Sequence, residues 1–414
     1  MIVTLVYAAD EPISRADLSV ASGLTRSTVS RLTEDLLQAG FLRELGPARI
    51  TGPGRPAVPL APATGTLVAT GAEIAPAHVA VRSVDLSGRV LAEHWHDTDL
   101  MGSDAEVVLG DLGVSLRTVH ARLPDGVRPL GTALALPGLV EQGSGRLLQA
   151  PNLGWRDVVP ARLVRGLGPG PRLGAGDVVH VGNEADLAAT AVAQTRPGHP
   201  SALRDMIYLS GEVGIGAAVV REGAVLAGRH GWAGEVGHLT VDVSGPLCRC
   251  GSSGCLEQYA GRPAILRAAG LPEHTTPAEL ARLADTDHPG ARQALHRAGG
   301  ALGIALAGVI NLLDVPTVVL GGDLGLLARH LIPAAEPELV RRVLSARWVP
   351  PRMVVAHPGS ALTGDVPTGG ATSRVPVALA PPVEAAELSL AATGAAYHLL
   401  GRALDRPDQQ LPLP

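Results

Sequence analysis

Residues 231–257 read GWAGEVGHLTVDVSGPLCRCGSSGCLE. The chain holds three cysteines in 414 residues, and Cys248, Cys250 and Cys255 all fall inside this stretch. With His238 just ahead of them they make one imidazole and three thiolates, a four-ligand set suited to tetrahedral zinc. Cys-x-Cys is too tight for an ordinary disulfide, and three thiols leave one unpaired in any scheme. Gly251 and Gly254 let the backbone fold closely around an ion. Four protein ligands close the coordination sphere, so the expected Zn2+ is structural, about one per chain, rather than a water activator. The alternative is three buried structural thiols.

Bulk properties narrow the setting. Apolar residues are 46 % of the chain, but aromatics are only 2 %, so Ala, Val, Leu and Gly must fill the core. No run approaches the roughly 18 to 20 apolar residues of a membrane span, and the first residues do not read as a signal peptide. The expectation is a cytoplasmic protein with no membrane partner. All 34 basic residues are Arg, so a DNA or phosphate contact must come from Arg, backbone N–H groups or hydroxyls. A net charge of −5 argues against a nucleic-acid coat but leaves room for one local DNA-reading element.

Such an element is legible at the N-terminus. Residues 14–45, SRADLSVASGLTRSTVSRLTEDLLQAGFLREL, read as helix, turn, helix. Leu18 and Ala21 share a face of the first helix, and Gly23 supplies the turn. Thr25 caps a second helix whose apolar positions are Val29, Leu32, Leu36 and Leu37. Its polar face carries Thr25, Arg26, Ser27, Thr28, Ser30 and Arg31, small hydroxyls and two cations suited to a DNA groove. Arg55, in the Pro/Gly-rich wing TGPGRPA, is suited to a minor groove. The alternative is a three-helix cap with a solvated polar face. From about residue 64, strand-like runs such as MIYLS and TVVLGGD alternate with helical ones, an α/β pattern. Residues 359–382 read as an excursion rather than an element.

GWAGEVGHLTVD followed by CRCGSSGCLE resembles the signature of the ROK family, which joins sugar kinases with sugar-responsive transcriptional repressors. The resemblance runs from about residue 66, and the N-terminal module matches the repressor branch. It implies a two-lobed actin-like (sugar kinase, ribonuclease H-like) domain with zinc on His238, Cys248, Cys250 and Cys255. The expected order is a winged helix-turn-helix over 1–52, the wing end and linker over 53–65, a smaller lobe over 66–182 and a larger lobe over 183–384. A helix over 385–405 returns to the smaller lobe. Sugar hydroxyls need converging carboxylates, amides and an imidazole. Asn152, Asn183, Glu184, Glu235, His238 and Glu257 have that chemistry, and the resemblance places Asn152, Glu235, His238 and Glu257 at sugar-contacting positions. His238 would then serve twice, one ring nitrogen on zinc and the other on sugar.

Three departures from the family's kinases bear on activity. The phosphate loop Asp-x-Gly-Gly-Thr-Lys is replaced by Glu73-Ile-Ala-Pro-Ala-His78, and Pro76 lacks the N–H that would cradle phosphate. The catalytic base position is Glu184, one methylene longer than the kinases' Asp. A second phosphate loop carries Glu212 and Val213 where a Thr hydroxyl is expected, and a carboxylate there repels phosphate unless a cation intervenes. Together these predict a non-enzymatic regulator that binds operator DNA and a sugar or sugar phosphate, as a homodimer or dimer of dimers. The competing expectation is a sugar kinase with an appended DNA-binding module.

Overall fold

The computed structural model describes residues 1–46, 58–164, 178–356 and 389–410. Arg55 and residues 359–382 lie outside the described residues.

The N-terminal module comprises α1 (Ile2–Ala8), β1 (Ile13–Ser14), α2 (Arg15–Ser22), α3 (Arg26–Gln38), β2 (Leu42–Glu44) and β3 (Pro59–Pro62). Ser14 and Asp17 form a reciprocal capping box on α2, and Gly23, at φ 70°, ends that helix in the left-handed region. Thr25 caps α3, its hydroxyl accepting from the Thr28 N–H at 3.3 Å. Leu18, Val29 and Leu36 are buried as the helical spacing predicts, with Leu32 and Leu37 packed beside them, whereas Ala21 faces solvent.

β3 corrects one boundary. Within residues 53–65, expected as wing end and linker, Pro59–Pro62 is a strand pairing antiparallel with both β1 and β2. Its prolines stand at the ends, where a missing N–H costs least, while Leu60 and Ala61 are buried. Nor is the module loosely tethered. Ile2, Val6, Tyr7, Leu36 and Phe41 share one apolar core with residues of the domain that follows.

That domain has two lobes. The first contains β4 (Leu67–Ala75), β5 (His78–Asp85), β6 (Val90–Asp97), α4 (Ala105–His120) and β7 (Arg128–Leu136). A small sheet of β8 (Leu139–Val140), β9 (Leu147–Ala150) and β10 (Trp155–Val158) follows, then α5 (Pro160–Leu163) and β11 (Val178–Asn183). After α6 (Glu184–Val192) and the hairpin β12 (Gln194–Arg196)–β13 (His199–Pro200) comes the larger lobe. It contains β14 (Met206–Gly211), β15 (Ile215–Arg221), β16 (Ala224–Val225), α7 (Glu257–Ala260), α8 (Arg262–Ala269), α9 (Pro277–Asp285) and α10 (Pro289–Leu313). Then come β17 (Thr317–Gly321), α11 (Gly322–Leu326), α12 (Ala328–Arg342) and β18 (Arg352–Val355), and α13 (Leu390–Asp405) closes the fold.

The two main sheets repeat one order. β11-β7-β4-β5-β6 and β16-β15-β14-β17-β18 each join an antiparallel three-stranded meander to two parallel strands. α13 returns to the smaller lobe and lies directly on β4. A Cβ at Gly71 would collide with the Ala392 carbonyl, and one at Gly394 with that of Leu187. α10, the one described helix long and apolar enough to cross a membrane, is the core helix of the larger lobe, packed on α8 and α12.

Candidate functional site

Two constellations sit between and beside the lobes. The first is a cleft of about 390 Å3, lined among others by Glu73, His78, Asn152, Glu184, Glu212 and Asp323. Its floor is an ionic cluster that spans the lobes. Glu73, in β4, and His78, the first residue of β5, flank a tight turn in the smaller lobe; Glu212 follows β14 in the larger lobe. His78 Nδ1 is 3.2 Å from Glu212 Oε1 and Nε2 is 3.5 Å from Glu73 Oε2. The ring stacks on Trp95, centroids 4.0 Å apart, and Ser389 donates to Glu73 at 2.8 Å.

The electrostatics follow from enclosure. Burial works against the imidazolium, yet Glu73 and Glu212 lift the His78 pKa to about 10, so the ring is a cation at neutral pH. Burial likewise opposes ionisation of Glu73, but the His78 charge beside it holds it below the usual carboxylate range. Glu184 has no such cation of its own. Burial, then the Glu73 and Glu212 carboxylates, push it well above its ordinary value. Burial also raises Asp323 to about 7 against the pull of Arg262, whose Nη1 is 3.2 Å away. The cation that a carboxylate at position 212 needs is therefore His78, from the place where the kinases keep their phosphate loop. Sequence reasoning saw both departures separately but not that they meet.

The expected sugar contacts divide into two groups. Glu184 opens α6 and faces the cleft. Asn152 and Glu257 converge on Gly214, where a Cβ would meet both side chains, and Glu257 Oε2 accepts from the Ile215 N–H at 3.4 Å. Glu235 stands 3.8 Å from His238 Nε2. Asn183 differs from the expectation. Its Oδ1 caps α6 by accepting from the Ala185 and Asp186 N–H groups at 2.8 and 3.3 Å, and its Nδ2 donates to the Gly138 carbonyl at 3.0 Å. With its oxygen on two N–H groups of α6 and its Nδ2 on a carbonyl, Asn183 caps the helix that Glu184 opens. Arg249 was missed by the sequence reading. It lies between two of the cysteines and donates to Asn152 Oδ1 at 3.3 Å.

The second constellation is the thiol cluster. The donor atoms of His238, Cys248, Cys250 and Cys255 all lie within 4.8 Å of one another. Cys250 and Cys255 sulfurs are 3.7 Å apart, and Cys248 Sγ is 3.8 Å from His238 Nδ1. Zn–S bonds of about 2.3 Å in a tetrahedron space sulfurs about 3.8 Å apart, so the donor set fits zinc. Gly251, at φ 98°, turns the chain between the ligands, and Gly254 lies against the Asp242 carbonyl where no side chain fits. Burial pushes the Cys255 thiol up to about 12, with the neighbouring Cys250 and Cys248 sulfurs adding to it. Three ionised thiolates at this spacing need a dication. Since Nδ1 faces the sulfurs, His238 turns Nε2 toward Glu235.

On the N-terminal module, Thr25, Arg26, Ser27, Ser30 and Arg31 are exposed and Thr28 is half-buried. The Thr25 hydroxyl is shared with Thr28 and Ser27, so it serves the cap first. Arg31 has only a loose partner, Asp35 at 3.4 Å, and its guanidinium stands in solvent.

A sequence profile of the ROK family matches residues 112–364, more than half of the chain. The chain belongs to the ROK family. A profile of the IclR helix-turn-helix domain matches residues 1–46. A putative xylose repressor of Caldicellulosiruptor sp. strain Rt8B.4 is 32% identical over 255 residues, 61% of this chain and 61% of that relative. A xylose repressor of Caldicellulosiruptor bescii is 27% identical over 353 residues, 81% of this chain and 84% of its own. The crystal structure of a ROK family transcriptional regulator, a homologue of the Escherichia coli MLC protein, shares the fold at a TM-score of 0.71. That likeness covers 97% of this chain and 96% of the other at 24% identity. The helix-turn-helix followed by the ROK family's actin-like sugar-kinase fold is therefore common to both.

Proposed function

We propose that this chain is a sugar-responsive transcriptional repressor whose ROK domain is a non-catalytic effector module. The observation that carries it is the His78 cluster: an internal cation held by two carboxylates occupies the place where ATP phosphates would need glycines, a hydroxyl and a Lys. The names of the curated relatives point the same way, and xylose heads the sugars worth testing. In this reading the module of residues 1–62 reads the operator, and one zinc per chain holds the loop that carries His238 toward Glu235 and Glu257. A homodimer, or dimer of dimers, would present two reading helices to a palindromic site.

Coupling has a structural route. α6 begins in the cleft at Glu184 and ends at the β12–β13 hairpin. From that hairpin Arg196 donates to the Tyr7 and Ala9 carbonyls at 3.2 and 2.7 Å, and His199 lies 3.0 Å from Asp10. Lobe closure on a sugar would shift α6 and with it α1, changing the spacing of the two reading helices and weakening operator binding.

The test is direct. Purified protein should bind DNA upstream of its own or a neighbouring sugar gene, lose affinity as salt rises, and be released by a sugar. ATP-dependent hexose phosphorylation that Glu184→Gln abolishes would instead favour the kinase reading. Arg26→Ala with Arg31→Ala should weaken operator binding by about 1 to 3 kcal/mol per base-reading Arg. Both side chains are exposed, so Tm and sugar affinity should hold; unchanged DNA affinity would remove α3 from the interface.

A further inference from the structure

The cleft's charge identifies the class of effector more narrowly. Resting on the reading of this cleft as the effector site, we infer that its ligand is an unphosphorylated, uncharged sugar, with Glu212 turning phosphate esters away.

Five carboxyl residues line the cleft: Glu73, Asp97, Glu184, Glu212 and Asp323. Two cations line it, and both are engaged. His78 is held between Glu212 and Glu73, and Arg262 is 3.2 Å from Asp323. Without any Lys in the chain, no other fixed cation stands among the lining residues. At the turn that faces the cavity, Pro76 has no N–H to offer a phosphate. A phosphate ester would bring between one and two further negative charges beside the Glu212 carboxylate, with no unpaired cation among the described lining residues to neutralise them.

A neutral sugar meets the opposite situation. Ionised carboxylates only accept hydrogen bonds, and sugar hydroxyls donate them. Glu212 Oε2 is buried and has no hydrogen-bond partner among the described residues, an acceptor waiting for a donor. Burial pushes Glu184 well above its ordinary value, toward the neutral form that donates as well as accepts. Asn152 adds an amide to the same lining. About 390 Å3 lies near the small end of ligand pockets, about 300 to 1,000 Å3, a fit for one monosaccharide. The exposed Arg249, near Asn152, is the one cation by the sugar contacts that could meet a phosphate, and there its charge is opposed by Glu257.

The experiment is calorimetry on the full-length, zinc-loaded protein with xylose, glucose and N-acetylglucosamine, each beside its phosphate ester, and with inorganic phosphate. One free sugar should bind and release the operator, and its ester should bind at least about a hundredfold more weakly. Glu212→Thr should narrow that gap by about tenfold or more; an unchanged gap removes Glu212 as the discriminating residue. An ester binding as tightly as the free sugar overturns the inference while leaving the effector reading intact, and loss of that binding in Arg249→Gln would place the phosphate at Arg249. If neither class of sugar binds, the effector reading falls and the inference with it.

Discussion

Cys250→Ser is expected to empty the metal site and weaken sugar binding together. Cys250 is the exposed member of the cluster, so the substitution removes a ligand without opening a cavity in the core, as Cys255→Ser would. Zinc content should fall from about one ion per chain to a small fraction, because Ser is a poor zinc ligand and three donors leave the coordination open. The loop then loses the charge that balanced its thiolates, and Cys255, fully buried, reverts to a thiol. Leu256 ties the same segment to the Leu239 carbonyl at 2.8 Å, and the next residue, Glu257, holds the Ile215 N–H beside Gly214, a residue that lines the cleft. Losing a group that orients metal ligands costs about 10- to 100-fold in affinity at metal sites, and a loss of that order is expected here for the sugar, since Glu257 and His238 both hang from the loop. Metal analysis, a melting curve and calorimetry on one preparation check it. A wild-type protein that is metal-free and melts at the same temperature as Cys250→Ser would sink the site as proposed.

How far such features could be read from sequence depends on how local they are. The thiol cluster was legible because its four ligands and two turn glycines lie within one short segment, and chemistry plus spacing suffice there. The reading helix was legible for the same reason: Thr25, Val29 and Leu36 obey helical spacing and capping within one element. β3 was not, because Pro59 and Pro62 look like linker when pairing cannot be seen, and strand pairing is set by partners distant in sequence. Asn183 had the right chemistry for a sugar but stands at a helix start, where capping competes for the same amide. The ionic cluster is the furthest case. His78, Glu212 and Ser389 come from three separate regions of the chain, and only the closed two-lobed fold makes them one site.

That cluster carries the second large effect. Replacing His78 by Ala should destabilise the protein by about 3 to 5 kcal/mol, the usual cost of removing one partner from a buried ion pair. Glu73 and Glu212 would face each other without their cation, and Trp95 would lose its stacking partner. One carboxyl can recover part of the loss by taking a proton, which points to the lower end of that range. The pH dependence separates this from simple cavity formation. His78 has its pKa raised from 6.5 to about 10, so its contribution is complete below about pH 6.5 and is lost as pH rises through about 10. Glu184 and Asp323, both raised, favour the folded state in the same direction, while Glu73, lowered, gives stability that is lost only in acid. Wild-type Tm should therefore fall between neutrality and pH 10 more steeply than that of His78→Ala, and the two curves should converge at the alkaline end. Because Glu212 belongs to the larger lobe and His78 to the smaller, the variant should also bind sugar more weakly, as the open arrangement of the lobes gains population. Parallel pH profiles for the two proteins would show that His78 merely fills space.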